Sequence, residues 1–456
     1  MKSIYITSVN KVLILLLGVT LIASCKKGYF YEGINDDPSQ LQKPIPSNLL
    51  PSLIQTTGYA YGGDASRYAA NFMQQVTGAA NQSFSASRYA VAADDVDNMW
   101  TAGLYGGGIM NNANSLINIA TEMKQGHYAA LGQVLMAFNL GLATDLWGDV
   151  PYTEAFKGAS NLQPKYDTQE QIYTTLELLL NNAITSLGKS DGSAFQPGAD
   201  DLLFYDEAAK KSDLDKWSRF AHSLKAKFYL HLAKKDKSYY DRALTEAVLG
   251  FKQGENAGVL FSGASVTSQG PWFQFNNQRG DISFTGHIYD IMATANDPRL
   301  AVYSDGEEGL GSMYGSGKGV RIYLMSYDEL KFIEAECQFQ RNAQDKAAAA
   351  TAYNAANKGN LIRTINNDAY AATIEKTAGN ITLTDIMTQK YISLFLSPEV
   401  WTDWRRTGLP VLVAPEGSAL GGQLPRTLPY PSGEQRYNSN APRNTSMLKR
   451  VWWDVQ

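Results

Sequence analysis

A chain of 456 residues, with a net charge of −4 and only 18% charged side chains, lacks the basic footprint of a nucleic-acid binder and the alternating pattern of a pore-forming barrel. It is long enough for a large core and roughly one to three domains. Its two cysteines are Cys25 and Cys337; with the first committed to the role argued next, no disulfide is left and stability must come from packing.

Lys2 and Lys11 form a weakly basic flank to Val12–Ala23, an apolar run. A bilayer-spanning helix needs roughly 20 such residues, so this shorter run has the proportions of an export signal. Ile22-Ala23-Ser24-Cys25 follows at once. Small residues let the chain enter a signal peptidase extended, and the cysteine supplies the thiol for lipid attachment, which is the bacterial lipobox arrangement. The expectation is a signal peptide over 1–24 and a single mature domain over 25–456, held to the membrane only by lipid on Cys25. An ordinary secretory signal with a chance cysteine is the alternative.

The helical period dominates the remainder. A helix is expected over 98–124, and another from Tyr128 to Trp147, closed by Gly148 and Pro151. Thr168 with Gln171 makes a capping box ahead of Ile172, Leu176, Leu179, Ala183 and Leu187. Leu214, Trp217, Ala221, Leu224, Phe228 and Leu232 line one face of an amphipathic helix. Helices are expected over 238–250, after a second capping box of Ser326 and Glu329, over 345–362, and over 384–397 ahead of Pro398. Strand signals are few and short. Between these elements, 55–97, 188–213, 251–326 and 409–456 are rich in Gly, Asn, Ser and aromatics and read as long, elaborate loops.

Enzyme chemistry is hard to find. His127, His222, His231 and His287 make no zinc-binding pair at helical spacing and no cysteine pair exists. Gly315-Ser316-Gly317-Lys318-Gly319 lacks the upstream glycine and the Ser or Thr of a phosphate loop. Asp94-Asp95-Val96-Asp97 lacks the calcium-loop glycine and reads as a solvated turn. No catalytic residue, metal site or cofactor is assigned.

Four segments, in order, resemble the SusD/RagB family of nutrient-binding outer-membrane lipoproteins, in its SusD-like subgroup. They run from Asp145 through Gly148-Asp149, Pro151-Tyr152 and Glu154 to Phe156; from Lys216-Trp217 through Ser223 to Lys227; from Met325-Ser326-Tyr327 through Phe332 to Glu336; and from Gln389-Lys390-Tyr391 through Trp401, Trp404-Arg405-Arg406 and Gly408 to Pro410. Arg426 to Pro431 with Glu434 resembles the family's closing motif. Trp217 and Trp401 read as core, Arg405 and Arg406 as braces for carbonyls, and Asp149 and Glu154 as clamps on the loop after a helix. The resemblance implies a mainly α protein, in which four tetratricopeptide-like helix pairs support long loop-rich insertions with few short strands. It also implies a partner, a SusC-like TonB-dependent barrel that the lipoprotein covers as a lid on the outer membrane, facing the exterior. Members at the cell surface commonly carry acidic residues after the lipidated cysteine, whereas Lys26 and Lys27 follow Cys25 here.

The expected activity is capture of oligosaccharides or peptides for import; a surface-anchored hydrolase of the same nutrients is the runner-up, and a purely structural lid the third reading. Sugar recognition sets aromatic faces against C–H surfaces and planar polar groups against hydroxyls. Tyr59, Tyr61, Arg67 and Tyr68 cluster early, Trp100 follows, and Trp272, Phe273, Asn276 and Arg279 form the densest group, read as a shaped loop between Pro271 and Gly280. Packing back on the scaffold is the alternative for Trp272, and core packing for Trp100.

Overall fold

The computed structural model describes residues 44–106, 108–443 and 446–456. The expected signal segment 1–24 and Cys25 lie outside the described residues. Among the described residues, the chain is mainly helical, and its only sheets are two-stranded antiparallel ribbons.

Helices α1 (Pro46–Ala60) and α2 (Ser66–Phe72) open the described chain. The scaffold follows as a succession in which each helix packs on the next: α3 (Ile109–Glu122), α4 (Gly126–Trp147), α5 (Gln169–Leu187), α6 (Leu214–Leu232) and α7 (Ser238–Leu249). An excursion containing α8 (Pro271–Arg279) then returns to α9 (Tyr327–Gln340), α10 (Lys346–Ile365) and α11 (Leu383–Ser393). Taken two at a time these are tetratricopeptide-like helix pairs, and α12 (Glu399–Thr407) closes against α2 and α6.

Local sequence explains most of these elements. α4 is buried along nearly its whole length from His127 to Trp147, and a helix apolar on all sides is one that other helices surround. It is long and apolar enough to cross a bilayer, yet 89% of that stretch is buried within the protein. α6 buries Trp217, Ala221, Leu224, Phe228 and Leu232 at the expected spacing. Its Trp217 donates to Asp201 Oδ2 at 2.8 Å. The capping box on α5 is complete: Gln171 N donates to Thr168 Oγ1 at 3.3 Å and Thr168 N to Gln171 Oε1 at 2.9 Å. That on α9 is half formed. Ser326 accepts from Glu329 N at 3.2 Å, but the Glu329 carboxylate turns inward to Lys227 Nζ at 2.6 Å.

Three expectations need correction. The helix expected over 98–124 is two pieces, Met99–Tyr105 and α3, parted by extended backbone at Gly108, where a Cβ would stand 2.0 Å from Gly103 O. The stretch 55–97 is not a loop: it completes α1 and contains α2 and the helix Asn81–Ser87. The stretch 251–326 carries α8 and a ribbon in which Asn256–Phe261 pairs with Val320–Ser326. α1 lies against this ribbon as well as against α3 and α4.

The family-like motifs hold the fold. Trp401 and Trp217 are fully buried. Arg405 Nη1 donates to Asp145 O at 2.7 Å and Arg426 O at 3.0 Å, between the rings of Trp401 and Trp453. Arg406 braces a carboxylate and not a carbonyl, with a two-pronged bond to Glu336 at 2.6 and 2.9 Å. Asp149 accepts from Gln169 N at 2.8 Å and Glu154 from Lys165 N at 3.1 Å, clamping the loop between α4 and α5.

Candidate functional site

Two irregular stretches border the same cleft, the first Tyr61–Ala65 after α1 and the second Met99–Tyr105 before α3, which is wound more loosely than an α-helix. A π-type turn such as the second is often found at functional sites. The first contains Gly63 at φ −97°, ψ −117°, outside helical geometry, so α1 and α2 meet at a kink. The cleft has a volume of about 300 Å³. Tyr59, Met99, Ala102 and Ile109 give it apolar surface, and Thr56, Asp64, Asn98 and Asn112 supply hydrogen-bonding groups. Tyr59 is 49% exposed, so a ring face is free for a ligand.

The structure brings the early cluster and the 271–279 cluster together. Arg67 pairs with Asp64 and lays its guanidinium over the Phe275 ring, 4.2 Å from the centroid. Trp272 Nε1 donates to Ser66 Oγ at 2.9 Å, and Ser66 in turn donates to Leu396 O. Helix α8 is thereby fastened to α2 and to the turn between α11 and α12. The stretch read as a loop is a helix because Pro271 occupies its first turn, where a missing N–H costs nothing, and Gly280 caps its end at φ 64°. The two residues taken as loop edges are a helix start and a helix stop.

Burial redistributes the expected ligand contacts. Trp272 is 1% exposed and Trp100 3%. Trp100 stacks on Tyr105 at 4.4 Å and meets Trp147 edge-on at 5.1 Å, which returns it to the core. Tyr61 points inward, sharing a 2.8 Å hydrogen bond with Ser397 Oγ and packing on Phe138. Tyr68 is buried, its hydroxyl donating to Asp95 O at 3.0 Å. Phe273 and Asn276 are half-buried and Arg279 is exposed. Asn276 Oδ1 is buried without a hydrogen-bond partner. Tyr59 alone of the expected residues lines the cleft, with Arg67 one contact behind it through Asp64. Sequence reasoning missed Asp64, Asn98, Asn112 and Phe275. The only signal near them is glycine, Gly62-Gly63 and Gly103 to Gly108, which marks irregular backbone without saying what faces it.

An ionisable cluster resembling catalytic machinery is sealed in the core. His231 lies between Glu399 Oε1, 2.8 Å from Nε2, and Asp145 Oδ2, 3.4 Å from Nδ1, with Tyr173 Oη 2.8 Å from Nδ1. Its side chain is 0% exposed, so no substrate reaches it from solvent. Burial opposes its charge, but the flanking Glu399 and Asp145 carboxylates prevail and raise its pKa to about 9. His127 and His222 also have structural partners, the Lys189 carbonyl and Glu246. Among the described residues no group of three or more His, Cys, Asp or Glu could hold a metal ion. Burial pushes the Cys337 thiol well up, so it is no nucleophile.

Comparison with known proteins agrees with this architecture. A SusD-like family model, described as starch-binding and associating with the outer membrane, matches residues 38–431. A SusD/RagB family protein from Bacteroides thetaiotaomicron superposes with a TM-score of 0.72 at 23% identity, covering 90% of this chain and 99% of its own. A SusD homologue from Bacteroides fragilis gives 0.70 at 18%, covering 90% and 100%. A chitin-binding SusD homologue from Flavobacterium johnsoniae gives 0.66 at 21%, covering 90% and 98%. No curated protein matches the chain.

Proposed function

Because the chain belongs to the SusD-like family of starch-binding proteins that associate with the outer membrane, we propose that it captures oligosaccharides in the cleft beside Tyr59 and delivers them to a SusC-like, TonB-dependent transporter. The observation that carries this reading is an exposed ring in a concave surface whose other polar groups are a hydroxyl, two amides and one carboxylate. The face of Tyr59 suits the C–H surface of a pyranose, while Thr56, Asp64, Asn98 and Asn112 can exchange hydrogen bonds with its hydroxyls. Lipid on Cys25 would hold the protein to the outer membrane on its exterior side, within reach of the barrel. Lys26 and Lys27 make that orientation the step most worth testing, by protease added to whole cells.

Titration calorimetry with malto-oligosaccharides, chito-oligosaccharides and a peptide pool tests the capture step. The Flavobacterium johnsoniae protein of the same fold binds chitin, which makes the second series a natural start. Tyr59→Ala should weaken binding of whichever ligand responds at least tenfold, about 1.4 kcal/mol. Unchanged affinity would remove the cleft from the site, and binding confined to peptides would replace the ligand class. Release of cleaved product in the same tubes would favour the hydrolase.

A further inference from the structure

We infer that the cleft discriminates by charge, admitting neutral or amino-bearing oligosaccharides and disfavouring those that carry uronate or sulfate, with Asp64 as the residue that sets this preference. The inference rests on the reading of the cleft as the glycan site. Its basis is the distribution of charge around that surface. Asp64 is the one ionisable carboxylate in the lining, and no Lys or Arg lines it among the described residues. Arg67, the cation paired with Asp64, is already committed: it covers the Phe275 ring and leaves only 19% of its side chain exposed. Asp64 is the more open partner, at 42%, so the cleft meets its carboxylate and not the guanidinium.

A second source of negative charge precedes the other wall of the cleft in sequence. Asp94 and Asp95 sit on the turn Asp94–Val96, immediately before Asn98 and Met99 of the cleft wall. The Tyr68 hydroxyl, bonded to Asp95 O, reports the local balance. Burial raises its pKa most, then Asp64, Asp95 and Asp94 raise it further, with Arg67 opposing. One guanidinium therefore faces three carboxylates within electrostatic reach of one side chain. A uronate or sulfate entering the cleft would meet like charge with no free cation to receive it. The remaining polar groups, Thr56, Asn98 and Asn112, are uncharged and suit hydroxyl or acetamide partners. Charges farther off than about 8–10 Å are screened at physiological salt, so the preference should belong to these near residues and weaken as salt is added.

The test compares hexasaccharides in matched pairs on the full chain in detergent: maltohexaose against its O6-sulfated form, and N-acetylchitohexaose against its de-N-acetylated form. At low salt the sulfated sugar should bind at least tenfold more weakly than its parent, and the amino form no more weakly than the acetylated one. The neutral-to-sulfated ratio should fall at least threefold in 0.5 M NaCl. It should fall likewise in Asp64→Asn, or in Asp64→Ser should the first variant melt early. Equal binding of parent and sulfated sugar at low salt, or a ratio unmoved by salt or by Asp64→Asn in a folded variant, overturns the inference alone. Failure of every hexasaccharide to bind overturns the glycan reading and the inference with it.

Discussion

Several tryptophans work as buried braces with a directed N–H. Trp147 donates to Pro429 O at 2.9 Å, Trp401 to Pro425 O at 2.8 Å, Trp272 to Ser66 Oγ at 2.9 Å and Trp453 to Asp145 Oδ1 at 3.0 Å. Three of the four tie together segments more than 200 residues apart, and each satisfies a donor that would be costly to bury unpaired. Trp272→Ala should therefore act on stability first. Removing a fully buried indole leaves a cavity and should cost about 3–5 kcal/mol, with Trp272→Phe costing less because the ring volume is partly kept. Urea unfolding followed by circular dichroism measures both. A midpoint unchanged in the alanine variant would contradict the packing described here. Tyr59 is the opposite case, since a half-exposed ring contributes little to the core, and Tyr59→Ala should leave the same midpoint nearly where it was.

Among elements, the scaffold helices are joined by charges as well as by apolar faces. Asp145 of α4, Tyr173 of α5, His231 of α6 and Glu399 of α12 form one continuous hydrogen-bonded chain. Lys227 of α6 reaches Glu329 of α9 at 2.6 Å and Glu399 at 3.8 Å. Such groups tie four or more helices together through a few buried side chains. The His231 link has a pH signature. Its folded pKa is raised to about 9 from 6.5, so the folded state holds the proton more tightly than the unfolded chain. The stabilisation is then complete below about pH 6.5 and lost as pH rises through about 9. The unfolding free energy should fall by on the order of 3 kcal/mol across that window. In His231→Gln, less stable at the outset, this slope should flatten. Equal slopes in the two proteins would show that the imidazole is not charged between its carboxylates. Asp328 works in the other direction. Burial would raise its pKa, but Arg363, bonded to both oxygens at 2.9 and 2.8 Å, holds it at about 2, so its contribution persists until acid below about pH 4 removes it.

For the whole molecule, the attachment expected at Cys25 can be separated from everything the folded domain does. Cys25→Ala should shift the protein from the membrane fraction to a soluble exported form, because a single lipid-bearing residue is the only anchor expected. Persistence in the pellet after a high-salt wash would refute the lipoprotein reading. The folded domain itself follows the logic of a helix-pair array, in which each helix finds its partner close by in sequence and long excursions add surface without disturbing the stack. This is why structures of 18–23% identity still superpose over 90% of the chain.

Where a helix buries a regular stripe and carries its own caps, the amino-acid sequence determined the outcome by itself. α4, α5, α6, α7 and α10 begin and end within a few residues of where periodicity and capping put them. The family and its architecture were legible for the same reason, since Trp217, Trp401 and Arg405 are motif residues doing structural work. The cleft was not legible. Gly58 and Gly62 weaken the helical pattern of 46–65, and they are glycines because a Cβ would stand 2.7 Å from Val259 and 3.0 Å from Ile322. Those partners lie on a ribbon roughly 200 to 260 residues away in sequence, so no local window contains the reason. The same holds for Trp272, whose N–H partner Ser66 lies 206 residues earlier in the sequence. Composition marked the aromatic and polar residues suited to a ligand, but which of them face water is settled only when distant segments close over the others.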